Sequence, residues 1–65
     1  MQITLNGESL VLENSVNIAQ LLSKLNLSGR LAVEVNQHII PRSSFPTYEI
    51  KSGDNVEIVE AIGGG

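Results

Sequence analysis

The 65 residues include no cysteine and no tryptophan, and a single phenylalanine, tyrosine and histidine each. Without cysteine there is no disulfide, no thiolate metal site and no cysteine nucleophile. The missing disulfides point weakly to an intracellular home, and a cytoplasmic protein is expected. His38 alone cannot build a histidine-based metal site unless carboxylates converge on it, and no spacing gathers them. An exposed turn histidine is its simplest reading. Basic residues are scarce too: Lys24, Arg30, Arg42 and Lys51 stand scattered against seven acidic residues, for a formal net charge of -3. Phosphate binding needs a basic patch, so nucleic acid is not expected as a partner. A mildly acidic chain is steered instead toward basic protein surfaces. Met1 leads straight into a strand pattern, with no basic segment and no long apolar run, so neither a signal peptide nor a membrane span is predicted.

The catalytic inventory is equally thin. Neither GxxxxGK[ST] nor GxGxxG occurs, so the chain has no recognisable means of binding ATP by itself. Ser43 and Ser44 follow His38 within a few residues, but a nucleophilic serine needs an oriented base and an oxyanion site, and a solvated loop is the better reading. The carboxylates are spread singly, except for Glu57 and Glu60 near the end, which suit a solvated sheet edge. An enzyme is not expected.

What is present is a patterned small domain. At 42% hydrophobic residues the chain has the makings of a core, and a chain of this length forms one domain that buries only about 60% of its unfolded surface. QITLN alternates Ile3 and Leu5 with polar residues, the period of a strand with one buried face. Asn6-Gly7 is a two-residue hairpin signal, and Ser9 to Glu13 reads as the returning strand with Leu10 and Leu12 inward. The period then changes: Ile18, Leu21, Leu22 and Leu25 form one helical stripe, with Asn14 and Ser15 as candidate N-caps, Lys24 near the end, and Ser28-Gly29 closing the segment. Leu31 to Asn36 predicts a strand with Leu31, Val33 and Val35 on one face. Gln37-His38 predicts a turn, Ile39-Ile40 a short apolar piece, and Pro41 to Pro46 a loop or single helical turn. At least one of Phe45 and Tyr48 should plug the core. After the turn cluster Ser52 to Asn55, Val56 to Ile62 predicts the last strand. The fold class is α+β, a mixed sheet of four to five strands covered by one main helix. If the first and last strands are central, they run parallel. Residues 1–62 form the domain and 63–65 a flexible tail.

That tail, Gly63-Gly64-Gly65, is the residue type that holds structure least well. A frayed end is its plain reading. Three residues without side chains can also be threaded through a narrow channel to a partner's active site. The α-carboxylate of Gly65, ionised at neutral pH, is a competent nucleophile toward an activated phosphate. Attack on ATP would give an acyl-adenylate, with ATP and Mg²⁺ handled by the partner and no cofactor held by this chain. Beside the tail, Val59 is a candidate exposed apolar residue, as is Ile62 if the strand stops before it, and Val11 is another. Val59, Ala61 and Ile62 are the inferred partner-binding residues.

Four stretches together carry a resemblance: MQITLNG, SVNIAQLLSKL, AVEVNQHIIPR and SGDNVEIVEAIGGG, which span essentially the whole chain. VN-x-x-I-x-PR followed by GD-x-V-x-I-V-x-A-x-GGG is similar to the ThiS family of sulfur carriers in thiamine biosynthesis. Gln37-His38 departs from it, since a glycine is expected in that turn. The resemblance implies the ubiquitin-like β-grasp fold and a cycle. A ThiF-type enzyme adenylates Gly65, a sulfur donor protein converts it to a thiocarboxylate, and a ThiG-type thiazole synthase consumes the sulfur. Gly64 and Gly65 match the family's terminal pair, and Arg42 matches its PR pair without an assignable role. A MoaD-type carrier subunit of molybdopterin synthase, a lysine-linked protein modifier and a plain ubiquitin-like interaction module are the alternatives.

Overall fold

The computed structural model describes residues 1–60; Ala61 to Gly65 lie outside the described residues. Five strands and one helix follow in the order β1 (Gln2–Leu5), β2 (Glu8–Val11), α1 (Ile18–Lys24), β3 (Leu31–Val35), β4 (His38–Ile40) and β5 (Asn55–Glu60), with a 3-10 turn at Arg42–Ser44 before β5. They form one mixed sheet in the order β2-β1-β5-β3-β4. β5 is its central strand, parallel to β1 and antiparallel to β3.

Each element follows from its residues. Asn6 and Gly7 take φ of 49° and 84°, the two positive values that a two-residue hairpin turn requires, and Leu5 pairs with Glu8 across them. α1 is two turns long and depends on its ends. Its N-cap is Asn17 rather than Asn14 or Ser15. The Asn17 side chain accepts from the backbone N–H of Gln20 at 2.8 Å, and the Gln20 side chain accepts from the N–H of Asn17 at 2.9 Å. This reciprocal pair is a capping box. The next two orphan amides, Ile18 and Ala19, donate to the carbonyls of Tyr48 and Phe45. At the other end Asn26 adopts φ 58°, and the N–H groups of Asn26 and Leu27 donate back to Ser23 and Leu22. That Schellman closure ends the helix before Ser28-Gly29 is reached.

The helix lays Ile18, Leu21 and Leu22 on the inner face of the sheet, against Ile3, Val33, Val35, Ile40, Val56 and Ile58. Phe45 and Ile50 complete the same core, and Tyr48 is half-buried beside it. Leu12 is buried just past the end of β2, with its backbone N–H and C=O both bonded to Met1.

One turn differs from expectation. Asn36 and Gln37, at φ 51° and 71°, form the β3-β4 turn, and His38 is the first residue of β4, paired with Val35. The shift has a plain cause: Asn is among the residues that best tolerate positive φ, so the turn begins at Asn36, and Gln37 takes the second position, which a glycine would otherwise fill. His38 is exposed, as its simplest reading held, but in a strand rather than a turn.

Candidate functional site: the exit end of the central strand

β5 reaches Glu60 from the middle of the sheet, and its two faces do different work. Val56 and Ile58 point into the core, while Glu57 and Val59 face outward. Glu60 is in line with the inward pair yet is exposed, so the core's cover ends before it. On the outer face, Val59 is 58% exposed and lies opposite Ala32 of β3, itself exposed. Ile39 of β4 is 74% exposed, and its cross-strand partner is Glu34. Glu34 in turn pairs with Glu57. Ala32, Glu34, Ile39, Glu57 and Val59 line one shallow groove on the sheet. It presents apolar side chains around an acidic pair, on the face away from the helix.

Of the residues expected to bind a partner, Val59 stands where the expectation put it, exposed at the exit end. Ala61, Ile62 and the glycines Gly63, Gly64 and Gly65 lie outside the described residues. Ile39 was missed by the sequence reading and is the most exposed large apolar residue of the groove. Val11, 72% exposed, does not belong to this patch. It pairs with Gln2, whose carbonyl accepts from Gly53 ahead of β5, so it sits toward the strand's entry end.

Among the described residues no group of three His, Cys, Asp or Glu side chains could hold a metal ion. Ser43 and Ser44 fall in the 3-10 turn. Arg42 acquires a structural part: its guanidinium donates to the carbonyl of Gly29 at 2.6 Å, tying the loop after the helix to this turn. Among the described residues no helix is long and apolar enough to cross a membrane.

Comparison with known proteins bears directly on this geometry. The model of the ThiS family matches residues 2–65. A crystal structure of a thiamine biosynthesis protein (ThiS) from Geobacter metallireducens superposes with a TM-score of 0.89 at 33% identity, covering 100% of both chains. A protein named thiazole synthase from Paramagnetospirillum magneticum is 39% identical across all of this chain, which spans only 20% of that protein's length. The uncharacterised protein ycf40 of Porphyra purpurea is 33% identical, with 93% of its length covered. The expected β-grasp architecture is thus the observed one, and the chain belongs to the ThiS family of small sulfur-carrier proteins.

Proposed function

We propose that this protein carries sulfur as a thiocarboxylate on Gly65 for assembly of the thiazole ring of thiamine. The observation that carries the reading is the exit geometry: the central strand runs past the core's cover beside an exposed apolar groove, and the sequence that follows is Ala-Ile-Gly-Gly-Gly. A carrier needs a rigid body that a partner can hold and a slim chain that enters the partner's active site. The groove around Val59 and Ile39 supplies the first, Ala61 and Ile62 come next in the sequence as the other inferred partner contacts, and Gly63-Gly64-Gly65 supplies the second.

The chemistry follows from the carboxylate. An adenylating enzyme of ThiF type binds ATP and Mg²⁺ and neutralises the phosphates. The Gly65 carboxylate oxygen attacks the α-phosphorus, the α–β phosphoanhydride bond breaks, and pyrophosphate leaves. A hydrosulfide equivalent, delivered by a sulfur donor protein, then attacks the acyl carbon. AMP leaves, one proton is released, and the product is the thiocarboxylate. A thiazole synthase takes up that sulfur, and the similarity of the chain to a segment of a protein with that name supports this destination over a molybdopterin one. The chain itself contributes no cofactor and no general base; its part is delivery.

Incubation with an adenylating enzyme, ATP, Mg²⁺ and sulfide tests the reading. The expected product is heavier by one oxygen-to-sulfur exchange and reacts at the carboxyl terminus with thiol-directed reagents. Adducts on lysines of other proteins, without that exchange, would favour a protein modifier instead.

A further inference from the structure

We propose that Asn6 is a positioning residue for the exit of β5: its side chain replaces the strand that β5 loses on one side, and so aims the tail. The proposal rests on the carrier reading above. Along the parallel β1-β5 ladder, the N–H of Thr4 donates to Asp54 O at 2.9 Å and the N–H of Asn6 to Val56 O at 2.9 Å. Both strands advance by two residues per rung, so the next rung falls at Ile58. β1 cannot supply it by backbone, because at Asn6 the chain turns through positive φ toward β2. The Asn6 amide supplies it instead. Its Oδ1 accepts from the Ile58 N–H at 2.8 Å, and its Nδ2 donates to the Ile58 carbonyl at 3.2 Å.

Two demands meet at this position. The turn needs a residue that tolerates φ near 49°, and the rung needs a short side chain with one donor and one acceptor. Asparagine meets both. Glycine would satisfy the turn and leave the rung empty; aspartate would keep the acceptor and set an oxygen against the Ile58 carbonyl. Ile58 is 7% exposed, so its backbone groups would be poorly placed to find water in exchange. Beyond it, the Val59 side chain faces the groove where a partner docks, while the chain ahead runs to the reacting carboxylate. Holding the strand straight between those two contacts favours the productive approach, and its release lowers turnover while the docking side chains remain in place.

A second asparagine provides the control. Asn36, in the β3-β4 turn, ties the other end of β5 in the same manner: Oδ1 accepts from the Asn55 N–H at 2.9 Å and Nδ2 donates to Asp54 Oδ1 at 3.0 Å. It lies at the strand's entry, away from the exit. Asn6→Gly and Asn36→Gly should therefore lower the melting temperature alike. Asn6→Gly alone should lower kcat for pyrophosphate release with an adenylating enzyme, by roughly three- to tenfold, the range one lost hydrogen-bonded rung produces, with KM unchanged. Amide hydrogen exchange at Ile58 should rise by a similar factor. Asn6→Asp, which keeps the acceptor but sets an oxygen against the Ile58 carbonyl, should show at least the same kcat defect. Equal kinetics for Asn6→Gly, Asn36→Gly and the parent, or a defect confined to KM, would overturn the positioning role. Failure of the unaltered chain to be adenylated by an enzyme active on another carrier would overturn the carrier reading, and this proposal with it.

Discussion

Glu34 of β3 and Glu57 of β5 are direct cross-strand partners on the outward face of the sheet. Like charges placed opposite each other destabilise a sheet, whereas an opposite-charge pair contributes roughly 0.2–1 kcal/mol to it. They stand here between Val59 and Ala32 on one side and Ile39 on the other. An unfavourable pair within an apolar surface marks a place where stability and recognition pull apart. The Glu57→Lys variant converts repulsion to attraction. Its stability should rise by up to about 1 kcal/mol, more at low salt than at high salt. The KM for the adenylating enzyme should rise, because a basic partner surface would lose its complement. Thermal melts at two salt concentrations beside steady-state kinetics check both halves.

The apolar part of the groove is tested by replacing Val59 and Ile39 together with threonine, which keeps the β-branched shape and strand preference. Stability should change by no more than about 1 kcal/mol, since both side chains are exposed. The KM should rise by about tenfold, the order expected when a docked methyl and a docked ethyl group become hydroxyls. Val11→Thr, at the opposite end of the sheet, should leave KM where it was. An equal effect of Val11→Thr would mean that docking uses the whole face rather than the exit end.

Removing the capping box should be costly in so short a helix. Asn17→Ala leaves the Gln20 N–H without its side-chain acceptor and should lower stability by about 1 kcal/mol, read from the urea midpoint at constant m-value. Asn14→Ala, at a position the sequence offered as an alternative cap, should be neutral within about 0.5 kcal/mol.

These residues also show how far the sequence could be read. Period-two alternation placed Ile3, Val33, Val35, Val56 and Ile58 inside, because the strands they occupy each have one solvated face. The helical stripe placed Ile18, Leu21 and Leu22 there for the same reason. The cap was misplaced although its signal was present: Asn17-x-x-Gln20 is a capping-box spacing, and Val16 before it is buried as a residue preceding such a cap often is. Ile39 was less accessible to sequence reasoning. In Ile39-Ile40 both residues are apolar, so alternation cannot say which one faces the core. Register decides, and register here is set by the turn at Asn36-Gln37, which puts Ile40 opposite Val33 inside and leaves Ile39 outside. The tie between Asn6 and Ile58 joins residues 52 positions apart. Asn-Gly announces a turn, but nothing local announces what its side chain will meet.

Sulfur transfer by this protein turns on one atom group, the carboxylate of Gly65. The most direct measurement is the intact mass of the protein after incubation with an adenylating enzyme, ATP, Mg²⁺ and sulfide, run beside a variant lacking Gly65. A thiocarboxylate on Gly65 predicts a single oxygen-to-sulfur exchange in the full chain and none in the shortened one, with both giving the same circular dichroism spectrum. An unchanged mass in the full chain, with an enzyme that thiocarboxylates another carrier in the same mixture, or the same exchange in the chain without Gly65, would contradict it.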